Sequence, residues 1–145
     1  MSEAVHDSIR VQAAPAAVMD VITDIEKYPE WQDEIKQAQV LAADDQGRPL
    51  RARFTIDAKV FHTTYTLEYR YEADTMAWDL EEGDQLDTLT GAYRLRDVGD
   101  GTTDVAYELT VAPKIRLPGL IRRQAAKRIV DGALKGMKRR VESEG

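Results

Sequence analysis

Alternating apolar and polar positions dominate the middle of the chain and predict a series of β-strands. The clearest run is FHTTYTLEYRY, followed by TMAWDLEE and by LDTLTGAYRLRDVGDGTTDVAYELTV, which predicts a long hairpin turned at GDG. Alternation places the large side chains of these strands on one face: Tyr65, Leu67, Tyr69, Trp78, Leu89, Tyr93 and Tyr107. A face of this kind has to be covered by another element.

A spacing of three and four residues predicts two helices in the remaining sequence. PAAVMDVITDI follows the strand SIRVQA and places Val18, Ile22 and Ile25 on one side, and Pro29 in EKYPEW breaks this helix. The second helix closes the chain with an apolar stripe: Ala126, Ile129, Val130, Ala133, Leu134, Met137 and Val141. Since it is the only long amphipathic element in the sequence, we expect it to cover the apolar face of the sheet.

The composition is that of one globular domain, which we expect to span residues 1–145. Hydrophobic residues make up 43% of the chain and charged residues 32%. No apolar run approaches the roughly 20 residues of a membrane span, and MSEAVHDSIRV has neither the basic nor the apolar region of a secretory signal. Cysteine is absent, which excludes disulfides. A cytoplasmic protein is therefore the expectation.

The charge is divided unevenly along the chain, whose formal net charge is -6. Residues 113–145 carry ten basic and three acidic side chains, whereas residues 1–112 carry ten basic and 23 acidic ones. This asymmetry indicates either an anionic partner or a basic helix packed near an acidic sheet, and the second interpretation is the simpler. Nucleic-acid binding is not expected, because the basic helix lacks an aromatic platform for single strands.

Residues suited to nucleophilic or metal chemistry are scarce. The serines Ser2, Ser8 and Ser143 lie outside any G-x-S-x-G context. The two histidines, His6 and His62, fall on outward faces of their strands, and no His or Cys spacing suits zinc. No Walker or Rossmann glycine pattern occurs. These observations argue against a hydrolase, a metalloenzyme or a nucleotide-binding protein, and we predict no catalytic residue, metal site or cofactor.

Three motifs occur in a recognisable order along the chain. IRVQAAPAAVMDVITDIEKYPEW joins a strand to a proline-led helix and Tyr-Pro-x-Trp, GAYRLRDVGDGTTDVAYELTV contains a late Gly-Asp-Gly-Thr hairpin, and RRQAAKRIVDGALKGMKRRV closes the chain. Together they resemble the START-like (SRPBCC) superfamily of polyketide cyclase/dehydrase and lipid-transport proteins, and in particular its small single-domain actinobacterial members. The resemblance covers nearly the whole chain.

This resemblance implies an α+β helix-grip fold. In that fold a seven-stranded curved antiparallel sheet wraps around a long C-terminal helix, with two short helices after strand 1. It also implies a cavity between the sheet and the helix, opening near the short helices and the loop APKIRLPG. The expected lining is Tyr65, Leu67, Tyr69, Trp78, Leu89, Tyr93, Tyr107, Arg123, Ala126 and Val130, with Tyr28, Trp31, Leu117 and Leu120 at the mouth.

The abundance of tyrosine on the apolar face leaves two interpretations open. In one, the tyrosines form an ordinary core with their hydroxyls at the rim. In the other, they line a pocket and offer hydroxyls inside it, because a buried tyrosine hydroxyl needs a partner. A packed core would more readily use phenylalanine, and this chain has two phenylalanines against six tyrosines. The composition therefore favours a pocket with a few polar groups.

Charged and apolar residues near the start of the last helix also allow two interpretations. Arg123 precedes Ala126 by one turn and is expected either to bind a carboxylate or carbonyl at the mouth or to turn outward and pair with an Asp. Leu117, Leu120 and Ile121 stand beside several cations. They are expected either to form a gate or to contact an anionic bilayer. The simpler interpretation is that they pack under the short helices.

These patterns favour a binding module over an enzyme. The leading hypothesis is binding or transport of a small hydrophobic or amphipathic molecule that resembles a lipid, an isoprenoid or a polyketide. The alternatives are an aromatase/cyclase acting on a polyketide chain and a ligand-free regulator of a partner protein. A cavity of roughly 300 Å³ or more supports binding, and a filled interior supports the regulator.

Overall fold

The chain forms seven strands and two α-helices over residues 3–58 and 61–144, the parts that the computed structural model describes. The elements in chain order are β1 (Glu3–Val11), α1 (Pro15–Thr23), a 3-10 helix (Ile25–Glu30), β2 (Ile35–Ala43), β3 (Pro49–Ala58), β4 (Phe61–Glu72), β5 (Thr75–Gly83), β6 (Leu86–Asp97), β7 (Thr103–Pro113) and α2 (Gly119–Glu144). The strands form one antiparallel sheet in the order β1-β7-β6-β5-β4-β3-β2. The predicted helix-grip architecture is therefore confirmed.

The β6–β7 hairpin adopts the register that the alternating pattern predicts. Tyr93 lies opposite Tyr107, and Leu95 lies opposite Val105. The turn at GDG uses glycine where the backbone is left-handed, with φ of 100° at Gly99 and 86° at Gly101. Because side chains alternate along each strand, this register brings the large residues of β6 and β7 to one face of the sheet.

The sheet bends where its ladders are interrupted. Register shifts occur between Thr66 and Leu67 on β4 and twice near the end of β2, and a bulge of this kind increases the local bend and twist of a strand. Gly91 on β6 lets the Trp78 ring approach the strand closely, since a Cβ at this position would lie 2.7 Å from that ring. The indole of Trp78 therefore lies directly against the β6 backbone.

The first helix ends earlier than its apolar spacing predicts. The pattern extends the helix to Ile25, whereas α1 ends at Thr23, because Asp24 adopts a non-helical ψ of 67°. Ile25 instead begins the 3-10 helix, which contains Pro29. Val18, Ile22 and Ile25 are nevertheless all buried, as the periodicity predicts.

The two halves of the apolar stripe on α2 have different surroundings. In the C-terminal half, Ala133, Met137 and Val141 are buried in a continuous core that also includes α1 and β1. The N-terminal half, from Ile121 to Ile129, faces an open space above the sheet. No helix within the described residues is both long and apolar enough to cross a membrane.

Gly136 allows the packed half of α2 to lie against the 3-10 helix. A Cβ at this position would overlap the carbonyl oxygen of Trp31, and it would lie 3.1 Å from the Trp31 ring. Gly132 lies one turn earlier on the same helix, is exposed, and has nothing within 4 Å of its own Cβ position. These two glycines are therefore a matched pair for testing how closely α2 is seated.

We expect Gly136→Ala to destabilise the protein by about 1–3 kcal/mol, because the methyl group displaces Trp31 or the helix. Gly132→Ala should instead stabilise it by about 0.5–1 kcal/mol, because alanine has the higher helix propensity and meets no obstacle. Urea denaturation of both variants measures these free energies of unfolding. Equal effects of the two substitutions would contradict the close packing at Gly136.

Candidate ligand-binding site

A cavity of about 320 Å³ lies between the sheet and the N-terminal half of α2. The 3-10 helix, strands β3 to β7 and the segment from Pro113 to Gly119 surround it. Most of the predicted positions line it: Tyr65, Leu67, Tyr69, Trp78, Leu89, Tyr93, Tyr107 and Ala126, together with Tyr28 and Leu117, which were expected at the mouth. The interior beneath this half of the helix is therefore hollow, as the pocket interpretation requires.

Aromatic rings in mutual contact form one wall of the cavity. The Trp78 ring lies 5.4 Å from that of Tyr107 and 5.6 Å from that of Tyr93, and these two tyrosines meet edge to face at 4.8 Å. Tyr69 extends the cluster, with its ring 6.0 Å from Trp78. The cross-strand pairs Tyr93–Tyr107 and Tyr69–Trp78 place these rings together. Each ring limits the movement of its neighbours, which keeps the wall rigid.

A second group of rings connects the sheet to the 3-10 helix. Phe54 stacks on Tyr65 at 5.5 Å and on Tyr28 at 6.1 Å. Phe54 lines the cavity and was missed as a site residue, although its place on the apolar face of β3 was evident from the alternating pattern. Aromatic rings therefore line the cavity from the strands and from the 3-10 helix.

The tyrosine hydroxyls of the cavity are protonated at neutral pH. Burial raises the pKa of Tyr65, Tyr69, Tyr93 and Tyr107 above the ordinary value, because removing water disfavours the charged phenolate. Each hydroxyl can therefore donate a hydrogen bond as well as accept one. They are poor general bases near neutral pH.

Two fully buried tyrosines differ in how their hydroxyls are satisfied. The Tyr28 hydroxyl donates to the carbonyl oxygen of Ile22. The Tyr93 hydroxyl makes no hydrogen bond of good geometry with any described residue, although the Gln32 side chain lies near enough to offset part of the pKa increase caused by burial. A buried polar group without a partner is costly, so the Tyr93 hydroxyl is available to a bound molecule.

Arg122 lines the cavity at the start of α2 in place of the predicted Arg123, and this corrects the expectation for Arg123. Arg122 lines the cavity and its side chain is 13% exposed, whereas the Arg123 side chain is 62% exposed and pairs with Glu3 at 3.3 Å. At about 3.6 residues per turn, Arg122 falls on the side of α2 that carries Ala125 and Ile129. Arg123 falls on the side facing β1, so the outward alternative considered for it is the observed one.

Three other predicted positions also lie outside the cavity lining. Val130 is fully buried in the packed half of α2. Trp31 is buried against Gly136, and its ring meets Tyr28 edge to face at 4.9 Å, so it fastens the 3-10 helix to α2. Leu120 is 70% exposed and Ile121 41% exposed, which shows that they do not pack under the short helices. They form instead an exposed apolar edge beside the cavity.

Polar groups are confined to a few places on the lining. Glu34 and Arg128 lie at one edge and form an ion pair of 2.9 Å. Thr63 is buried, and its hydroxyl donates to the Asp84 carboxylate at 2.6 Å. Gln32 and Gln124 complete the polar lining residues. The described lining contains no histidine, and no group of three or more metal-binding side chains occurs among the described residues.

The profile of the polyketide cyclase/dehydrase and lipid transport family matches residues 11–138. The chain belongs to this family. The resemblance to START-like proteins seen in the sequence is thereby confirmed. No curated protein sequence gives a significant match to this family member.

Solved structures of similar fold span nearly the whole of this family member. A START superfamily protein from Mycobacterium smegmatis superposes with a TM-score of 0.89 at 24% identity, covering 98% of this chain and 99% of the other. The Zhui aromatase/cyclase from Streptomyces sp. R1128 gives 0.80 at 14% identity, covering 98% and 94%. The protein TTHA0849 from Thermus thermophilus gives 0.80 at 22% identity, covering 99% of each chain. At these identities the likeness establishes a shared fold.

The contrast between Tyr93 and Tyr28 leads to a stability prediction. Tyr28→Phe should destabilise the protein by about 1 kcal/mol, because the Ile22 carbonyl loses its buried donor. Tyr93→Phe should leave the free energy of unfolding unchanged or raise it by up to about 1 kcal/mol, because it removes a buried hydroxyl without a partner. Urea denaturation of both variants measures the difference, and an equal loss in both would show that Tyr93 is hydrogen-bonded within the protein.

Proposed function

We propose that this protein binds a small hydrophobic or amphipathic molecule, such as a lipid, an isoprenoid or a polyketide-like compound, between the sheet and α2. The observation that carries the proposal is the cavity of about 320 Å³. Small-molecule sites range from about 300 to 1,000 Å³ and combine apolar walls with a few placed polar groups. The cavity has the volume and the chemical character of such a site.

The distribution of polar groups supports a ligand with an apolar body. Aromatic and aliphatic side chains cover most of the wall, so that an apolar molecule gains roughly 25 cal/mol for each Å² removed from water. The hydroxyls of Tyr65, Tyr69, Tyr93 and Tyr107 add hydrogen-bonding capacity without adding charge. A molecule with isolated hydroxyl or carbonyl groups on an apolar skeleton suits this lining.

We place entry to the cavity at Leu117 and Ile121, which line it beside the start of α2. Ile121 is exposed, as are Ile115 and Leu120, its neighbours in the sequence. Movement of the segment before α2 would open the cavity there, as release of a carried molecule requires.

A second candidate function is cyclisation of a polyketide chain. The cavity offers several tyrosine hydroxyls and the Arg122 guanidinium, which could position carbonyl groups and polarise them. One protein of similar fold is an aromatase/cyclase. Cyclisation also needs a group that accepts a proton. Glu34 is the one carboxylate of the described lining, and it is engaged by Arg128, so binding remains the leading proposal.

We expect N-phenyl-1-naphthylamine, a neutral dye that fluoresces in apolar surroundings, to bind the protein saturably at one molecule per chain. Leu89→Trp should weaken this binding by about tenfold or more, because the larger ring occupies the cavity; tenfold corresponds to about 1.4 kcal/mol. Leu50→Trp is the matched control, since Leu50 lies exposed on β3. A titration followed by fluorescence tests the proposal, and equal affinity of the wild type and Leu89→Trp would refute it.

We expect the purified protein to bind a poly-β-ketone thioester without converting it to an aromatic product faster than buffer alone. The physical reason is the absence of an available proton acceptor in the described lining, where tyrosine pKa values are raised and Glu34 is paired. Chromatography of timed reactions measures the product. Acceleration that is lost in Leu89→Trp and retained in Leu50→Trp would establish the cyclase alternative.

A further inference from the structure

Given the binding function proposed above, we infer that the natural ligand is an amphipathic molecule with a single carboxylate, which Arg122 holds at the edge of the cavity. The apolar part of this molecule lies among Trp78 and the tyrosines. This inference identifies the chemical class of the ligand and gives the sequence-adjacent arginines Arg122 and Arg123 different roles.

Arg122 has unused hydrogen-bonding capacity. Its guanidinium carries five N–H groups in a planar fork. Within the described residues, Nη1 donates to the carbonyl oxygen of Leu117 at 3.1 Å, and Nε lies 3.4 Å from a Glu3 carboxylate oxygen without the geometry of a hydrogen bond. The side chain is 13% exposed, so solvent does not satisfy it fully. A ligand group that accepts from the fork would remove this deficit.

Positive charge is in local excess around Arg122. Arg122 and Arg123 both pair with Glu3, whose two carboxylate oxygens lie 3.4 Å from Arg122 Nε and 3.3 Å from Arg123 Nη1. The single carboxylate of Glu3 thus pairs with two guanidinium groups, and the Glu3 side chain is itself 15% exposed. A single additional carboxylate would balance the three side chains, whereas a doubly charged phosphate would create a negative excess.

Arg122 differs from Arg128, the other cation of the cavity lining. Arg128 is 64% exposed and has its own carboxylate partner, Glu34, at 2.9 Å. Its charge is therefore both solvated and neutralised. Arg122 is mostly buried and shares its partner, and a charge-assisted hydrogen bond gains strength where water is excluded. The arginine fork matches the two oxygens of a carboxylate, so Arg122 is the anchor that the lining provides.

The test compares dodecanoate with 1-dodecanol, which have the same chain length and differ in the head group. Each competes with N-phenyl-1-naphthylamine for the protein at pH 8, where a carboxylic acid is ionised. Both are kept below the concentration at which they aggregate. We expect dodecanoate to displace the dye from the wild type at a concentration about tenfold lower than dodecanol, or lower still.

Three variants assign the preference to one side chain. Arg122→Gln should abolish the preference, so that dodecanoate and dodecanol displace the dye from this variant at similar concentrations. Arg122→Lys should keep part of it, because the charge remains and the fork is lost. Lys127→Gln is the matched control: Lys127 is exposed on α2 outside the cavity lining, so removing its charge should leave the preference within about twofold of the wild type.

The outcomes separate this inference from the proposed function. If the dye and both dodecyl compounds fail to bind, the binding function and the inference fail together. If the dye and dodecanol bind and dodecanoate shows no preference in the wild type, the inference alone is overturned. It is also overturned if Arg122→Gln keeps the preference, or if Lys127→Gln loses as much of it as Arg122→Gln does.

Discussion

The cavity depends on the close packing of the C-terminal half of α2 against Trp31. Gly136 lets the helix approach the Trp31 backbone, and Met137 and Val141 are buried in the core beside it. Because a helix is a stiff rod over this length, fixing its C-terminal half also sets the height of its N-terminal half above the curved sheet. The space that results between α2 and the sheet is the cavity of about 320 Å³.

The walls of this space resist collapse for a second physical reason. Trp78 and Tyr107 each meet Tyr93 edge to face and lie 5.4 Å apart, and Trp78 also rests on the backbone at Gly91. Rings held on several sides cannot turn inward to fill the void. The buried tyrosine hydroxyls stay protonated and uncharged, so the cavity wall is apolar with scattered hydrogen-bond donors. Arg122 adds one cation at its edge.

Much of the fold and of the sheet side of the site could be predicted from local patterns. Alternation along β4 to β7 identified the cavity-facing residues of each strand, because successive side chains point to opposite faces whatever the rest of the protein does. The helix side was harder. A spacing of three or four places both Arg122 and Arg123 near the stripe. Both pair with Glu3 of β1, and only the packing of α2 on the sheet decides that Arg122 also lines the cavity while Arg123 stays mostly exposed. Trp31 is a similar case, since its surroundings come from α2, more than a hundred residues away.

Short stretches of sequence were enough to specify the strands, the closing helix, the faces they bury and the family to which the chain belongs, because these follow from local periodicities and motifs. The packing of distant elements was needed to establish that the N-terminal half of α2 covers a hollow and its C-terminal half a solid core. The same packing brings Arg122 rather than Arg123 to the cavity, and it leaves the Tyr93 hydroxyl without a hydrogen bond of good geometry to any described residue. Volume and hydrogen-bond satisfaction depend on the distances between elements far apart in the chain, and no local pattern contains those distances.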